Sequence, residues 1–96
     1  MTVHIVIFQL IETDAVSLKR FKESLSELKD LSFLIEFSLI EKSNLLKSYI
    51  DGDIVLFSKF KNENDLQLYM TDPKHLQIIK NTSENIKDKF ILDFNI

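Results

Sequence analysis

Two histidines and one tyrosine are the side chains of this sequence best suited to chemistry. His75 comes three residues after Asp72, which can cap a helix that begins at Pro73. At this position the positive end of the helix dipole disfavours the imidazolium, although nearby Asp72 favours it. A neutral imidazole accepts a proton, so His75 is a candidate general base for removing an acidic C–H proton. The alternative is a surface or helix-start histidine that makes a local hydrogen bond.

Tyr69 is a candidate hydrogen-bond donor to a developing enolate oxygen. It precedes His75 by six positions. In an unbroken helix this spacing turns the two side chains about 120° apart. Asp72 and Pro73 predict a break, because the residue before a proline is pushed away from helical angles. Only this break can direct both side chains into one cavity. The alternative is a core tyrosine that packs beside Leu66 with its hydroxyl in water.

His4 shares one face of a predicted first strand with Val6 and Phe8, so these three residues are candidates for lining a substrate pocket. Asp93 belongs to a predicted last strand, which can lie beside the first. A carboxylate there would hold His4 in one tautomer. The alternatives are a structural histidine on an apolar face and an aspartate that faces solvent.

The composition excludes several classes of function. The 96 residues contain no Cys, which removes disulfides, thiolate zinc sites and thiol nucleophiles, and a single Gly leaves no phosphate-binding loop. The two histidines lack metal-ligand spacing, so we predict neither a metal nor a cofactor. With 12 basic and 15 acidic residues and no basic cluster, the chain is not expected to bind nucleic acid or anionic lipid.

The placement of β-branched, aromatic and other apolar residues predicts the elements that must position these residues. Strands are expected over residues 2–11, 33–41 and 52–61, with a polar loop over 42–51, and the last strand alternates through Phe90, Leu92, Phe94 and Ile96. A helix capped by Asp14 presents Leu18, Phe21, Leu25 and Leu28 on one face. Asn62 resembles a cap for a short helix over 66–71, and the helix after Asp72 continues its stripe through Leu76, Ile79 and Ile86.

The order β-α-β-β-α-β predicts an α+β, ferredoxin-like domain spanning residues 1–96, in which helices cover one face of a four-stranded antiparallel sheet. The first strand is apolar on both faces. Helices on one side would leave an exposed apolar patch that soluble monomers rarely tolerate, so we predict a homodimer that packs sheet against sheet. The longest uncharged run, residues 1–11, is too short to span a membrane and lacks the features of an export signal, so a cytoplasmic location is expected.

Four segments in this order resemble the stress-responsive A/B barrel domain, or Dabb, family. They are VHIVIF at 3–8, DIVLFSKF at 53–60, the run 66–75 with Tyr69 and His75, and ILDF at 91–94. The resemblance covers nearly the whole chain. It implies a ferredoxin-like subunit and a two-fold dimer whose sheets close into a dimeric α/β barrel.

The family resemblance does not imply one activity. Some plant members are stress-induced proteins. Another member, olivetolic acid cyclase, closes an aromatic ring by aldol chemistry with a tyrosine and a histidine whose positions match Tyr69 and His75. A pocket histidine of that enzyme matches His4, whereas Asp53 stands where it has a second one.

The sequence therefore predicts a homodimer with a mostly apolar pocket for a small hydrophobic or aromatic molecule. In an enzyme, His75 would be the base and Tyr69 the hydrogen-bond donor of a cofactor-free proton transfer or cyclisation, with His4 and Asp93 in support. One alternative is a non-catalytic stress or assembly protein. Another is a cofactor-independent monooxygenase of a related barrel family, which the lack of Trp disfavours.

Overall fold

A computed structural model describes residues 1–47 and 51–96 of the chain. Its strands are β1 (Thr2–Leu10), β2 (Leu34–Glu41), β3 (Ile54–Phe60) and β4 (Ile86–Asn95), and its α-helices are α1 (Ala15–Ser26), α2 (Glu63–Thr71) and α3 (Pro73–Thr82). Short 3₁₀ turns cover Glu27–Asp30, Lys42–Asn44 and Ser83–Asn85. The predicted α+β order is confirmed, with the second helical region divided at Asp72.

The four strands form one antiparallel sheet in the order β2-β3-β1-β4. Central β1 pairs with β3 on one side, where Val6 lies opposite Leu56, and with β4 on the other, where His4 lies opposite Asp93. Because side chains alternate between the faces of a strand, His4, Val6 and Phe8 all point to the side that the helices cover. The ferredoxin-like fold follows from this topology.

The core lies between the helices and one face of the sheet. Its buried residues are Val6, Phe8, Leu10, Phe21, Leu25, Leu28, Ile54, Leu56, Phe60, Tyr69 and Ile78. The apolar stripe of α1 packs onto β1, and the rings of Phe8 and Phe21 meet edge to face with their centroids 5.2 Å apart. This geometry is favourable for aromatic pairs and helps to fix the position of α1 over the sheet.

The prediction that Ile86 continues a helical stripe is wrong. Helix α3 ends at Thr82, and Ile86 begins β4 opposite Leu10. The hydroxyls of Thr82 and Ser83 donate to the carbonyls of Ile78 and Lys80 at distances of 2.9 and 2.8 Å, and such local bonds compete with continuation of the helix. Pairing with β1 then determines the conformation of Ile86, although its spacing from Ile79 also suits a helix.

Other boundaries differ by a few residues. Helix α2 begins at Glu63, directly after its cap, rather than at residue 66, and β1 ends one residue before Ile11. The predicted polar loop over 42–51 starts with a 3₁₀ turn, and its residues 48–50 lie outside the described residues.

The other face of the sheet carries no helix within the described residues and is strongly apolar. It presents Val3, Ile5 and Ile7 from β1, Val55 and Phe57 from β3, and Phe90, Leu92 and Phe94 from β4. We call this set the open face. Leu92 is 59% exposed, and Phe90 and Phe94 are exposed as well. Among the described residues, no helix has the length and apolar character needed to cross a membrane.

Candidate functional site

A small cavity between the sheet and helices α2 and α3 contains five of the six predicted site residues. His4, Val6 and Phe8 reach it from β1, whereas Tyr69 and His75 reach it from the two helices. Its volume is about 50 Å³. The sixth predicted residue, Asp93, contacts His4 rather than the cavity itself.

Two helix caps place Tyr69 and His75 beside each other. The side chain of Asn62 accepts a hydrogen bond from the backbone N–H of Asp65 at 2.9 Å and starts α2. Asp72 has an extended backbone and ends α2, and its carboxylate accepts from the N–H of Lys74 at 2.8 Å to start α3. Because the chain changes direction at Asp72, the rings of Tyr69 and His75 pack with centroids 4.5 Å apart.

Tyr69 is fully buried among other rings. Its centroid lies 5.0 Å from that of Phe60 and 6.2 Å from that of His4. The Tyr69 hydroxyl has no hydrogen-bond partner among the described residues and does not reach water, contrary to the alternative of a solvated hydroxyl. Burial raises the pKa of Tyr69 well above its usual range, so the phenol remains protonated and is available as a donor.

His75 is buried at the third position of α3, with 4% of its surface exposed, so it is not a surface histidine. Its Nδ1 has no hydrogen-bond partner within the described part of the chain. Burial lowers the pKa of His75, and His4 and Lys89 lower it further, while the Met70 carbonyl and Asp72 act in the opposite direction. The neutral imidazole is therefore favoured over the imidazolium near pH 7.

His4 and Asp93 form a pair across the β1–β4 register. His4 is 3% exposed, and its Nδ1 contacts Oδ1 of Asp93. A carboxylate oxygen only accepts hydrogen bonds, so the proton of His4 lies on Nδ1 and its ring orientation is determined by Asp93. The backbone of His4 is held as well, because the Ser58 hydroxyl donates to its carbonyl at 3.1 Å. Asp93 is thus a bonded partner of His4 rather than an isolated surface acid.

One charged residue of the cavity wall was not among the predicted site residues. Lys89 lies opposite Phe8 in the register, on the same face of β4 as Ile91 and Asp93, and it lines the cavity. The period-two alternation of the last strand was the available signal: once Asp93 is placed beside His4, Lys89 must lie on the same face. The remaining wall is mostly apolar and includes Leu25, Leu28, Leu56, Met70, Ile79 and Ile86.

Other parts of the described chain offer less for chemistry. Two larger depressions, of about 390 and 620 Å³, border α1 and contain none of the predicted site residues. Asp53 lies in the larger one and accepts a hydrogen bond from the backbone N–H of Leu10 at 2.8 Å, so its carboxylate joins β3 to β1. Within residues 1–47 and 51–96, no group of three or more potential ligands could hold a metal ion.

The comparison with protein families decides the identity of this fold. The model of the stress responsive A/B barrel domain matches residues 2–96. The chain belongs to the Dabb family. This finding confirms the resemblance seen in the sequence. No curated protein matches the chain in sequence.

Several solved structures share the fold at low sequence identity. A Dabb family protein from Mesorhizobium loti has a TM-score of 0.88 at 16% identity, covering 99% of this chain and 95% of that one. A dimeric ferredoxin-like protein of unknown function from Thermobifida fusca has a TM-score of 0.83 at 16% identity, and the match covers 99% of this chain and 90% of that one. The hydroxynitrile lyase from Passiflora edulis has a TM-score of 0.83 at 15% identity, and the match covers 99% of this chain and 92% of that one.

Proteins named as antibiotic biosynthesis monooxygenases also share this fold, at 15% and 9% identity. Likeness at this level shows the fold alone, because unrelated activities occur on the same scaffold. The function of this Dabb chain must therefore be argued from its own cavity.

Proposed function

We propose that this Dabb protein is a homodimer that binds a small organic molecule in the cavity of each subunit and transfers a proton from an acidic C–H group without a cofactor. The observation that carries the proposal is a pair of buried, unpartnered polar atoms on neighbouring side chains: the hydroxyl oxygen of Tyr69 and Nδ1 of His75. Both side chains line one cavity.

These two atoms favour a binding role over a purely structural one. A buried polar group without a partner destabilises a protein by about 1–3 kcal/mol. The cost is not offset within the described residues, whereas a ligand carbonyl in the cavity would accept from the Tyr69 hydroxyl and offset the cost for that atom. Unsatisfied polar groups of this kind are concentrated at functional sites.

The neighbouring groups suit proton abstraction. The neutral imidazole of His75 would accept the C–H proton, and the electron pair left on carbon would pass to the adjacent carbonyl oxygen as an enolate. The protonated hydroxyl of Tyr69 would donate to that oxygen as its charge develops. His4, oriented by Asp93, would act as a positioning residue beside the ring of Tyr69, 6.2 Å away.

The cavity volume restricts the ligand. About 50 Å³ accommodates three or four water-sized groups, and a cavity that binds benzene is about 150 Å³. It is also below the range of roughly 300–1,000 Å³ typical of sites for drug-sized ligands. The predicted space for an aromatic ring is therefore not present in the cavity, and we propose a short aliphatic molecule, or a short arm of a larger one.

The open face supports the dimer part of the proposal. It carries eight apolar side chains from three strands, all except Val3 partly or largely exposed, and solved proteins of this fold are described as dimeric. A second copy of the same sheet is complementary in size and character. Packing the two sheets would remove several hundred Å² of apolar surface from water per subunit, at roughly 25 cal/mol per Å².

Exchange of C–H protons with solvent tests the catalytic part directly. In D₂O, we expect the wild-type protein to accelerate deuterium incorporation at the α-carbons of acetone, followed by ¹H NMR. His75→Ala should abolish the acceleration, and Tyr69→Phe should reduce it by about tenfold or more. Leu76→Ala is the matched control, because Leu76 follows His75 on α3 but is exposed and lies outside the cavity.

The rival explanation is a non-catalytic stress or assembly protein in which Tyr69 and His75 are structural. It predicts that wild type and His75→Ala give the same exchange rate as buffer. Native mass spectrometry of the purified protein separates binding without catalysis from no binding at all, because a bound small molecule adds its mass to the wild type and not to Tyr69→Phe.

A further inference from the structure

Lys89 is the feature of the cavity that the proposed proton transfer does not use. It is the only cavity-lining residue of the described chain that carries a permanent charge at neutral pH. Its ammonium makes no ion pair within the described residues, so no carboxylate of the described chain competes for it. Asp88 contacts only the backbone N–H of Lys89, at 2.8 Å, and belongs to the opposite face of the strand.

The position of Lys89 marks the mouth of the cavity. Lys89 and Ile91 are both exposed on edge strand β4, whereas Tyr69 and His75 are buried at the inner wall. Lys89 is the register partner of Phe8 and lies on the same face of the sheet, so its apolar stem can follow the cavity wall while its ammonium stays in water. A ligand entering from β4 would meet a cation first and the two unpartnered polar atoms last.

The acid of the site lies at the other end of the same wall. Asp93 is four residues beyond Lys89 on β4, which corresponds to about 13 Å along a strand, and its carboxylate is engaged by His4. Asp93 therefore neither neutralises Lys89 nor repels an anion at the mouth. The β4 wall is polarised, with a free cation at one end, apolar Ile91 in the middle and a paired acid at the other.

We propose that the ligand of this cavity is a small organic acid whose carboxylate pairs with Lys89 while its short carbon chain enters toward Tyr69 and His75. The inference rests on the proposed binding function and specifies the chemical class of the ligand. A carboxylate matches the single charge, and a body of three or four heavy atoms beyond it matches the volume of about 50 Å³. Lys89 is then the residue that determines specificity.

Binding of butyrate compared with butyramide tests the proposal, because the two molecules have nearly the same shape and differ in charge. We expect titration of the wild-type protein, followed by the imidazole ¹H signals of His75 and His4, to show butyrate binding about three- to tenfold more tightly. Lys89→Met should reduce butyrate affinity to that of butyramide. Lys87→Met, which removes an exposed charge from the same strand outside the cavity, should leave the preference intact.

The outcomes separate the two proposals. Equal affinities in the wild type, with saturable shifts of the His75 signals, overturn the choice of an acid and leave the binding function in place. A butyrate preference that survives Lys89→Met overturns the role of Lys89. Absence of any saturable shift with both probes contradicts the acid ligand and the binding function together. Folding of each variant is checked by its amide NMR spectrum.

Discussion

The rings of Tyr69 and His75 pack 4.5 Å apart across the break at Asp72. Two buried polar atoms on these rings, the Tyr69 hydroxyl and Nδ1 of His75, have no partner among the described residues. The helix break, the small cavity and the unpartnered atoms are thus parts of one arrangement. Changing one of them should affect stability and binding in separable ways.

The cap at Asp72 should contribute measurably to stability. Asp72→Ala removes the side-chain acceptor of the Lys74 N–H, and we expect the free energy of unfolding to fall by about 1 kcal/mol. Asp14→Ala is the matched control, because Asp14 precedes α1 but its side chain accepts no backbone N–H of that helix. Urea denaturation at one protein concentration measures both. Equal losses would show that the Asp72 hydrogen bond contributes nothing of its own.

Removal of the Tyr69 hydroxyl should weaken binding without weakening the fold. Tyr69→Phe deletes an unpartnered buried group, so the free energy of unfolding of the ligand-free protein should stay constant or rise by up to about 1 kcal/mol. Thr82→Val deletes a buried hydroxyl that donates to the Ile78 carbonyl, and it should lower stability by about 1 kcal/mol. Chemical denaturation compares the two. A clear loss of stability in Tyr69→Phe would indicate that the Tyr69 hydroxyl makes a hydrogen bond in the folded protein, contrary to the proposal.

Acid should destabilise the protein through His75. The folded-state pKa of His75 is lowered from its ordinary value of 6.5, so below that pH the unfolded chain binds a proton that the folded chain does not. The contribution of His75 to the free energy of unfolding is fully present above pH 6.5 and is lost as the pH falls toward the folded-state pKa. The loss is at most about 1.4 kcal/mol per pH unit.

Denaturation curves measure how the free energy of unfolding depends on pH. They are recorded between about pH 5 and pH 8, where histidine titrates. His75→Gln keeps a polar side chain but cannot titrate, so the difference between wild type and variant should decrease toward acid pH. Parallel curves for the two proteins contradict a buried neutral His75.

A charge on the open face should prevent dimer formation. Leu92→Asp would place an unpaired carboxylate between two apolar sheets, which costs several kcal/mol, and we expect the dissociation constant to rise by about 100-fold or more. Leu76→Asp is the control, since Leu76 is similarly exposed but lies on α3, on the other side of the sheet. Sedimentation at micromolar concentration measures both. A stable, well-folded wild-type monomer would remove the dimer from the proposed function.

The strands, the first helix and the break in the second helical region could be predicted from the sequence because they depend on local chemistry. The density of β-branched and aromatic residues identifies β1, the three- and four-residue spacing from Leu18 to Leu28 identifies α1, and Asp72 before Pro73 stops one helix and starts another. Ile86 shows the limit of this reasoning, because its spacing suits a helix while pairing with β1 makes it part of a strand.

The sequence by itself determined which residues share a face, because the period of a strand is a property of its backbone. It therefore placed His4 with Val6 and Phe8. Tertiary structure alone decided three further properties of the site. They are the register that brings Asp93 into contact with His4, the burial that lowers the pKa of His75, and the small volume of the cavity that Tyr69 and Lys89 line. Those quantities depend on contacts between residues distant in the chain, and no local pattern encodes a distance across the sheet.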